Sequence, residues 1–242
     1  MAKPKAPFVS LARLVAAHDP AVEDPGESIC SGLVHVDGAI LTNPAARVRR
    51  DAAVQVSQPV TLQGATKLAA ALDHFDVSPH GRKALDLGAS TGGFTSVLLE
   101  RWATVVYAVD AGYGQLLGSI HQDERVRNLE RTNLGDLTPE LVPDDIDIVT
   151  MDLSYLAVAD AIAQLEAVRI AEDADLIALV KPMYELGLAT LPTDPDQLDA
   201  AVSQAWDGVQ RMPWQATGVI DSPVRGGRGA VEFLLHARRA PR

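Results

Sequence analysis

The stretch KALDLGASTGGFTSVLLE, residues 83–100, decides the fold, because an apolar run, a glycine-rich turn and a helix-forming segment follow one another in it. The run ALDLG is typical of a buried strand, and GGFTSVLLERW is typical of a helix that begins at its glycines. A turn between such a strand and such a helix lies where α/β sheets bind ligands. The stretch therefore poses the question of which ligand it holds.

Strand and helix patterns alternate after this stretch. Helices are predicted in YGQLLGSIHQ, at 156–170 and at about 197–211. Further strands are predicted for TVVYAVD, RVRNLE, DIDIVTMDLS, DLIALVKP, QATGVID and AVEFLLHAR, the last two joined by the glycine-rich loop SPVRGGRG. This alternation indicates an α/β, Rossmann-like sheet of seven strands, mostly parallel, covered on both faces and with its last strand antiparallel.

The amino-terminal residues follow another pattern. A helix-like segment at 10–17 precedes short β-like runs that are separated by the turns Asp37-Gly38 and Asn43-Pro44. We interpret residues 1–58 as a small α+β domain and residues 59–66 as a linker. Residues 67–242 then form the main domain, whose first strand is preceded by a helix in ATKLAAALDHF.

Composition limits the classes of function. The 242-residue chain is 47% hydrophobic, yet it has no apolar run of about 18 residues that could cross a bilayer. Arg13 interrupts the amino-terminal apolar segment, which favours a short helix over a signal peptide. Cys30 is the single cysteine, so no intrachain disulfide can form and a reducing cytoplasm is the expected compartment. The six histidines lack metal-ligand spacing, so no metal site is expected.

The glycine-rich turn lacks the pattern of a pyrophosphate site. Ser90 stands where the dinucleotide fingerprint has its close-approach glycine, and the turn lacks the lysine of a phosphate-binding loop. Asp110, 18 residues after Gly92, ends the second strand, where a carboxylate can bind ribose hydroxyls. A ligand without pyrophosphate therefore fits better than a dinucleotide.

S-adenosylmethionine meets these requirements. Its ribose would bind Asp110, its amino-acid portion would lie against the turn from Gly88 to Gly93, and its adenine would lie over the loop after the third strand. A glycine turn without any ligand is the alternative. The predicted cofactor-binding residues are Asp86, Gly88, Ala89, Ser90, Thr91, Gly92, Gly93, Phe94, Asp110, Thr132, Asn133 and Asp152.

Four further polar residues suggest chemistry. Asp152 and Lys181 end the fourth and fifth predicted strands, and Glu232 lies in the last one. Lys67 lies in the helix before the first strand. Each residue alone could be a helix cap or a solvated surface group. Two lysines and two carboxylates at the ligand-binding edge of one sheet are better explained by catalysis.

The chain also resembles a known family. The segments that carry the resemblance are TKLAAALDHF, ALDLGASTGGFTSVLLE, YAVDAGYGQL, VRNLERTN, LTPE, ALVKPMYE and VEFLLHARR. They resemble the TlyA-type family, whose members are labelled haemolysins or ribosomal RNA 2′-O-methyltransferases and have an FtsJ-like catalytic domain. The resemblance runs from about Lys67 to Arg239. It implies a catalytic Lys-Asp-Lys-Glu tetrad at Lys67, Asp152, Lys181 and Glu232.

A sugar hydroxyl is a poor nucleophile at neutral pH, so methyl transfer to it needs a proton acceptor and close placement of the reactants. Lys181 can accept a proton only as the neutral amine. Burial and the second ammonium at Lys67 favour that form, whereas Asp152 opposes it and orients the amine. Glu232 would hold Lys67 or the ribose. A single-step transfer of this kind needs no metal.

The chain departs from the family on the side of the methyl acceptor. The resemblance implies that residues 1–58 are a small, degenerate RNA-binding-like domain, because SGLVHVDGAILTNPAARV resembles the second half of the family's RNA-binding domain. In its first half AAHDPAVEDPGESI replaces a basic segment, and residues 1–60 carry six basic and six acidic side chains. TLQGATK replaces a basic linker, and LGLATLPTDPDQ replaces a basic, glycine-rich stretch. The net charge of −11 likewise disfavours general attraction to nucleic acid or to anionic membranes.

Three functions therefore stay open. The first is a ribosomal RNA 2′-O-methyltransferase whose remaining basic groups are Arg47, Arg49, Arg50, Arg225 and Arg228. The second is a relative that uses S-adenosylmethionine on a small molecule in specialised metabolism. The third is a pore-forming haemolysin or an RNA-binding scaffold. The lack of a membrane segment and the complete tetrad argue against the third.

Overall fold

The computed structural model describes residues 8–20, 22, 24–30, 33–41, 43–56 and 62–240. The chain divides into two compact units, 1–61 and 62–242. In the second unit a helix spans Gln63–His74, so residues 63–66 of the predicted linker are helical. The close approach of Gly64 to the backbone of Gly93 explains this difference, because it packs the first turn onto the next helix. Residues 59–61 of the predicted linker lie outside the described residues.

The described residues of the first unit form two helices and five short strands. They are β1 (Phe8–Ser10), α1 (Leu11–His18), α2 (Pro25–Cys30), β2 (Val34–Val36), β3 (Ala39–Ile40), β4 (Arg47–Arg49) and β5 (Val54–Val56). Strands β3, β2 and β5 form an antiparallel sheet, and β1 pairs with β4. Asp37 and Gly38 both have positive φ, which allows the tight turn between β2 and β3. Leu11, Val15 and Ile29 are fully buried and pack on these strands.

The second unit is built on one large sheet. Its helices are α3 (Gln63–His74), α4 (Gly93–Glu100), α5 (Gly118–His121), α6 (Val158–Ala163), α7 (Pro182–Glu185) and α8 (Pro195–Gln210). Its strands are β6 (Lys83–Leu87), β7 (Val105–Asp110), β8 (Val126–Glu130), β9 (Ile146–Met151), β10 (Ile170–Val180), β11 (Trp214–Asp221) and β12 (Phe233–Arg239).

The strand order is β11-β12-β10-β9-β6-β7-β8, and β12 is antiparallel to both of its neighbours. The five strands β10, β9, β6, β7 and β8, which are neighbours in this order, run parallel to one another. The predicted seven-stranded, mostly parallel Rossmann-like sheet with an antiparallel last strand is therefore confirmed.

Apolar side chains are buried on both faces of the sheet. Leu85 and Leu87 of β6 belong to one apolar cluster, which includes residues of α6 and α8. Ala84 of the same strand belongs to the other cluster, which includes residues of α3 and α4. Strands buried on both faces read as continuous apolar runs, which is why ALDLG could be identified as a strand.

Two predicted helices are shorter than expected. In YGQLLGSIHQ only α5 is helical, because the Glu130 carboxylate accepts hydrogen bonds from the backbone N–H groups of Gln115 and Leu116 at 3.1 and 3.5 Å. Those groups are thereby satisfied without a helix. The helix predicted at 156–170 is confined to α6, and Ile170 already begins β10, where it pairs with Ile146.

Candidate active site

The polar residues singled out in the second unit gather at one edge of the large sheet. Asp152 directly follows β9, and Lys181 directly follows β10. Glu232 was predicted inside the last strand, but β12 begins only at Phe233. Because β12 is antiparallel, its beginning lies at the carboxyl edge of the parallel strands, so Glu232 still lies at that edge. Lys67 approaches from α3.

A pocket of about 270 Å³ opens at this edge. Five of the predicted cofactor-binding residues line it: Gly88, Ser90, Asp110, Thr132 and Asp152. The other lining residues are Val109, Ala111, Gln115, Leu134, Leu153, Ser154 and Tyr155. The pocket therefore combines two carboxylates with several apolar side chains, a combination that suits a polar ligand with a flat apolar ring.

The glycine-rich turn is shaped by close backbone contacts. Gly88 has a φ of +82°, and a Cβ atom there would collide with the main-chain carbonyl oxygen of Asp152. Gly92 has a φ of +98° and caps α4. Ser90 also has positive φ, at +47°, and its N–H donates to Asp110 Oδ2 at 2.8 Å. The turn therefore requires glycine at positions 88 and 92, and the Ser90 N–H binds the turn to the Asp110 carboxylate.

Asp110 connects the turn to the loop after β7. Its Oδ2 accepts the Ser90 N–H, and its Oδ1 accepts the Gly112 N–H at 2.7 Å. A carboxylate offers about four acceptor positions, so each oxygen keeps capacity for a ligand hydroxyl. Backbone amides thus fix the orientation of a carboxylate whose remaining acceptor sites line the pocket.

Asp86 lies beneath the turn and does not line the pocket. It is fully buried and accepts hydrogen bonds from Thr95 Oγ1 at 2.6 Å and Thr150 Oγ1 at 2.8 Å. Burial raises the pKa of Asp86 to about 6, although the two threonine hydroxyls oppose the rise. The carboxyl therefore ties β6 to α4 and β9 from inside the core.

The remaining predicted cofactor-binding residues also lie outside the pocket lining. Ala89 and Phe94 are buried, and Gly93 packs against Gly64. The carbonyl of Thr91 accepts the Leu117 N–H at 3.3 Å. The amide of Asn133 donates to Asp136 Oδ2 at 3.0 Å. Their contacts are with other parts of the protein and not with the pocket.

The four predicted tetrad residues form two ion pairs. Lys67 Nζ lies 2.6 Å from Glu232 Oε2, with side chains only 6% and 5% exposed. Lys181 Nζ lies 2.6 Å from Asp152 Oδ1, with side chains 15% and 23% exposed. Lys181 also donates to Ser154 Oγ at 2.8 Å. Because Asp152 and Ser154 line the pocket, the Lys181 amine lies beside it, whereas the other pair is closed off.

The glycine-rich loop between β11 and β12 packs against the closed pair. A Cβ atom at Gly226 would collide with the Glu232 carboxylate. Arg225 and Arg228 of the same loop are exposed. The loop thus combines tight backbone packing on the Glu232 carboxylate with exposed positive charge.

Seven residues of the pocket lining were not predicted from the sequence, and two of them, Ser154 and Tyr155, are polar residues close to Asp152. Both follow Asp152 in the segment DLSY, and their position after a strand end was the available signal. Tyr155 is 53% exposed, and its pKa is raised by burial and by the Asp110 carboxylate. Nothing in the sequence distinguished Ser154 from an ordinary loop serine.

Metal-binding clusters and membrane-spanning helices are both absent from the described residues. Among them, no group of three or more His, Cys, Asp or Glu side chains is arranged to hold a metal ion. No helix in that part of the chain has the length and apolar character needed to cross a membrane.

Comparisons with known proteins agree with this geometry. The family model of FtsJ-like methyltransferases matches residues 61–239. The 16S/23S rRNA (cytidine-2′-O)-methyltransferase TlyA of Mycobacterium tuberculosis is 39% identical over 225 residues, which cover 89% of this chain and 84% of that protein. YqxC of Bacillus subtilis, named as a candidate rRNA methyltransferase, is 33% identical over 225 residues, which cover 88% of this chain and 79% of that protein. A candidate hemolysin from Lactococcus lactis has a TM-score of 0.69 at 30% identity, covering 73% of this chain and 86% of that one.

Proposed function

The chain belongs to the FtsJ-like methyltransferase family, and we propose that it methylates a ribose 2′-hydroxyl of ribosomal RNA with S-adenosylmethionine as the donor. The observation that carries the proposal is the Lys181–Asp152 pair at the wall of the pocket. A relative that covers most of the chain is named for methylation of the 2′-oxygen of cytidine in 16S and 23S rRNA. The site supplies a basic group where such a reaction needs one.

The pocket fits S-adenosylmethionine. Asp110 offers carboxylate oxygens for the ribose hydroxyls, and the absence of a side chain at Gly88 lets the turn approach the main chain of Asp152 closely. Val109, Leu134 and Leu153 supply apolar surface for the adenine. When bound, the cofactor supplies an electrophilic methyl group.

Lys181 is the proposed proton acceptor. The neutral amine would take the proton of the acceptor hydroxyl, which would make that oxygen nucleophilic enough to accept the methyl group that the cofactor supplies. Asp152 holds the amine through its Oδ1 and stabilises the ammonium that forms. Partial exposure of both side chains leaves the acceptor a path to the amine.

In this proposal Lys67 and Glu232 have a structural role next to the site. Both charges are nearly excluded from water, so each depends on the other for compensation. The pair fixes the start of β12 to α3, and the loop that carries Arg225 and Arg228 leads directly into it. These two arginines are exposed and can contact the phosphates that flank the modified ribose.

In the first unit, β4 exposes Arg47 and Arg49 while it buries Val48. Arg49 lies 3.6 Å from Asp37 and 3.7 Å from Asp51, which weakens its attraction for phosphate. Because these two carboxylates compensate the charge of Arg49, a second candidate function is favoured, the methylation of a small molecule that needs no phosphate contacts. We place it second because the arginines at the catalytic edge remain exposed.

Labelled methyl transfer to purified 30S and 50S ribosomal subunits tests the acceptor. We expect transfer to rRNA that decreases steeply with salt, because phosphate contacts release counterions. Arg225→Ala/Arg228→Ala should lower transfer, whereas Arg211→Ala, which changes an exposed arginine at the end of α8, should not. Bound cofactor without transfer to any RNA would instead support the small-molecule function.

A further inference from the structure

We propose that Ser154 is a positioning residue, whose hydroxyl fixes the direction in which the Lys181 amine faces the methyl acceptor. This inference rests on the proposed function and adds a fifth side chain to the four of the tetrad. Ser154 is exposed at the wall of the pocket and is two residues from Asp152. It does not lie within the core and has no evident role in packing.

The hydrogen bonds of Lys181 carry the proposal. Its Nζ lies 2.6 Å from Asp152 Oδ1 and 2.8 Å from Ser154 Oγ. Among the described residues, the Ser154 hydroxyl makes no hydrogen bond other than the one to Lys181. The bond therefore serves the amine rather than the loop.

The count of donors shows what the two bonds achieve. A neutral amine has two N–H groups and one lone pair. If Asp152 and Ser154 each accept one N–H, the lone pair is the single position left and points in one fixed direction. Without Ser154, the amine can rotate about its bond to Cε, and the lone pair loses that direction.

The transfer step balances in this arrangement. The acceptor oxygen forms a bond to the methyl carbon, and its proton passes to the Nζ lone pair. The electron pair of the broken carbon–sulfur bond stays on sulfur. Lys181 becomes an ammonium with three N–H groups, two of which keep their partners on Asp152 and Ser154.

The loop that carries Ser154 is held at both ends. At its start, the Asp152 N–H donates to the Leu87 carbonyl at 2.9 Å. At its end, the Val158 N–H donates to Glu185 Oε2 at 3.1 Å, and Glu185 is buried in the short helix that Lys181 caps. Ser154 and Lys181 therefore belong to segments that are tied to each other, which keeps their distance fixed.

The first test compares Ser154→Ala with Ser154→Thr, which keeps a hydroxyl. We expect kcat of Ser154→Ala to fall about 10- to 100-fold with little change in KM for either substrate, because only the orientation of the base is lost. Ser154→Thr should recover most of kcat. Ser203→Ala, the same type of change at an exposed position of α8, should behave as wild type.

A second measurement does not require turnover. Trace labelling of lysines by acetic anhydride, read by mass spectrometry, gives the reactivity of Lys181 relative to Lys83. We expect Ser154→Ala to raise that ratio several-fold and Ser154→Thr to leave it near the wild-type value. An unchanged ratio together with unchanged kcat would overturn the positioning role. A changed ratio in a protein that methylates no RNA would overturn the proposed function and keep the positioning role.

Discussion

The two lysine–carboxylate pairs have the same contact distance and opposite surroundings. Lys67 and Glu232 are about 95% buried, whereas Lys181 and Asp152 retain 15% and 23% exposure at the pocket wall. A buried pair cannot lose one charge without leaving the other uncompensated, so its removal is costly for folding. A partly exposed pair can exchange a proton with a ligand at lower cost. The comparison favours a structural role for the first pair and is consistent with the proposed proton transfer at the second.

The largest expected effect is a loss of turnover when the partly exposed Lys181–Asp152 pair is broken. Lys181→Ala should lower kcat by about 10³-fold, because it removes the proton acceptor. Stability and cofactor affinity should stay near wild type, since the side chain is partly exposed. Single-turnover methyl transfer and calorimetric titration with S-adenosylmethionine measure the two quantities. Unchanged turnover would remove Lys181 from the mechanism.

At the buried pair the main effect should be on stability. Lys67→Met leaves the Glu232 carboxylate buried and unpaired, which should lower the free energy of unfolding by about 3–5 kcal/mol. The double variant Lys67→Met/Glu232→Leu should recover much of that loss in urea unfolding. Methyl transfer should stay impaired in the double variant if the pair also shapes the acceptor site. Recovery of full transfer would reduce the pair to a structural role.

A change at Asp110, on the cofactor side of the pocket, should weaken cofactor binding rather than slow the methyl transfer step. Asp110→Ala removes the proposed ribose contacts and the anchor of the Ser90 N–H, so the dissociation constant for S-adenosylmethionine should rise about 10- to 100-fold. Asp199→Ala is the matched control, because Asp199 is an exposed carboxylate of α8 and does not line the pocket. Equal affinity in wild type and Asp110→Ala would contradict the ribose assignment.

The smallest expected effect concerns Asp86 and pH. Its pKa is raised from 3.8 to about 6 in the folded chain, so the folded state holds a proton that the unfolded state has released over this range. The contribution of Asp86 to stability is therefore present below pH 4 and lost as the pH rises through about 6. Between pH 5 and 7, wild type should lose about 1 kcal/mol of unfolding free energy relative to Asp86→Asn. A pH-independent difference between the two proteins would contradict the raised pKa.

The sequence predicted the sheet well because both faces are buried, which leaves long apolar runs such as ALDLG and DLIALV. It predicted helix lengths less well, because tertiary contacts decided them. The Glu130 carboxylate satisfies the amides of Gln115 and Leu116, and no periodicity reveals that contact. Helix α3 likewise begins earlier than expected, where Gly64 packs on Gly93.

The four residues of the predicted tetrad were singled out by residue type and by resemblance, and the contact between Lys67 and Glu232, which are 165 residues apart, became visible only in the fold. Several residues of the glycine segment were assigned to cofactor binding although only some line the pocket. A motif marks a turn without telling which side chains face inward: Asp86 is covered by two threonines, and Phe94 packs in the core. Ser154 was missed because its importance depends on one contact with Lys181.

The most direct test of the central claim is the identity of the methylated nucleoside. Ribosomal subunits are incubated with the protein and labelled S-adenosylmethionine, and the rRNA is digested to nucleosides and separated by chromatography. The account predicts label in a 2′-O-methylnucleoside with wild type and its loss with Lys181→Ala. Label in a base-methylated nucleoside, or equal 2′-O-methylation by Lys181→Ala, would contradict it.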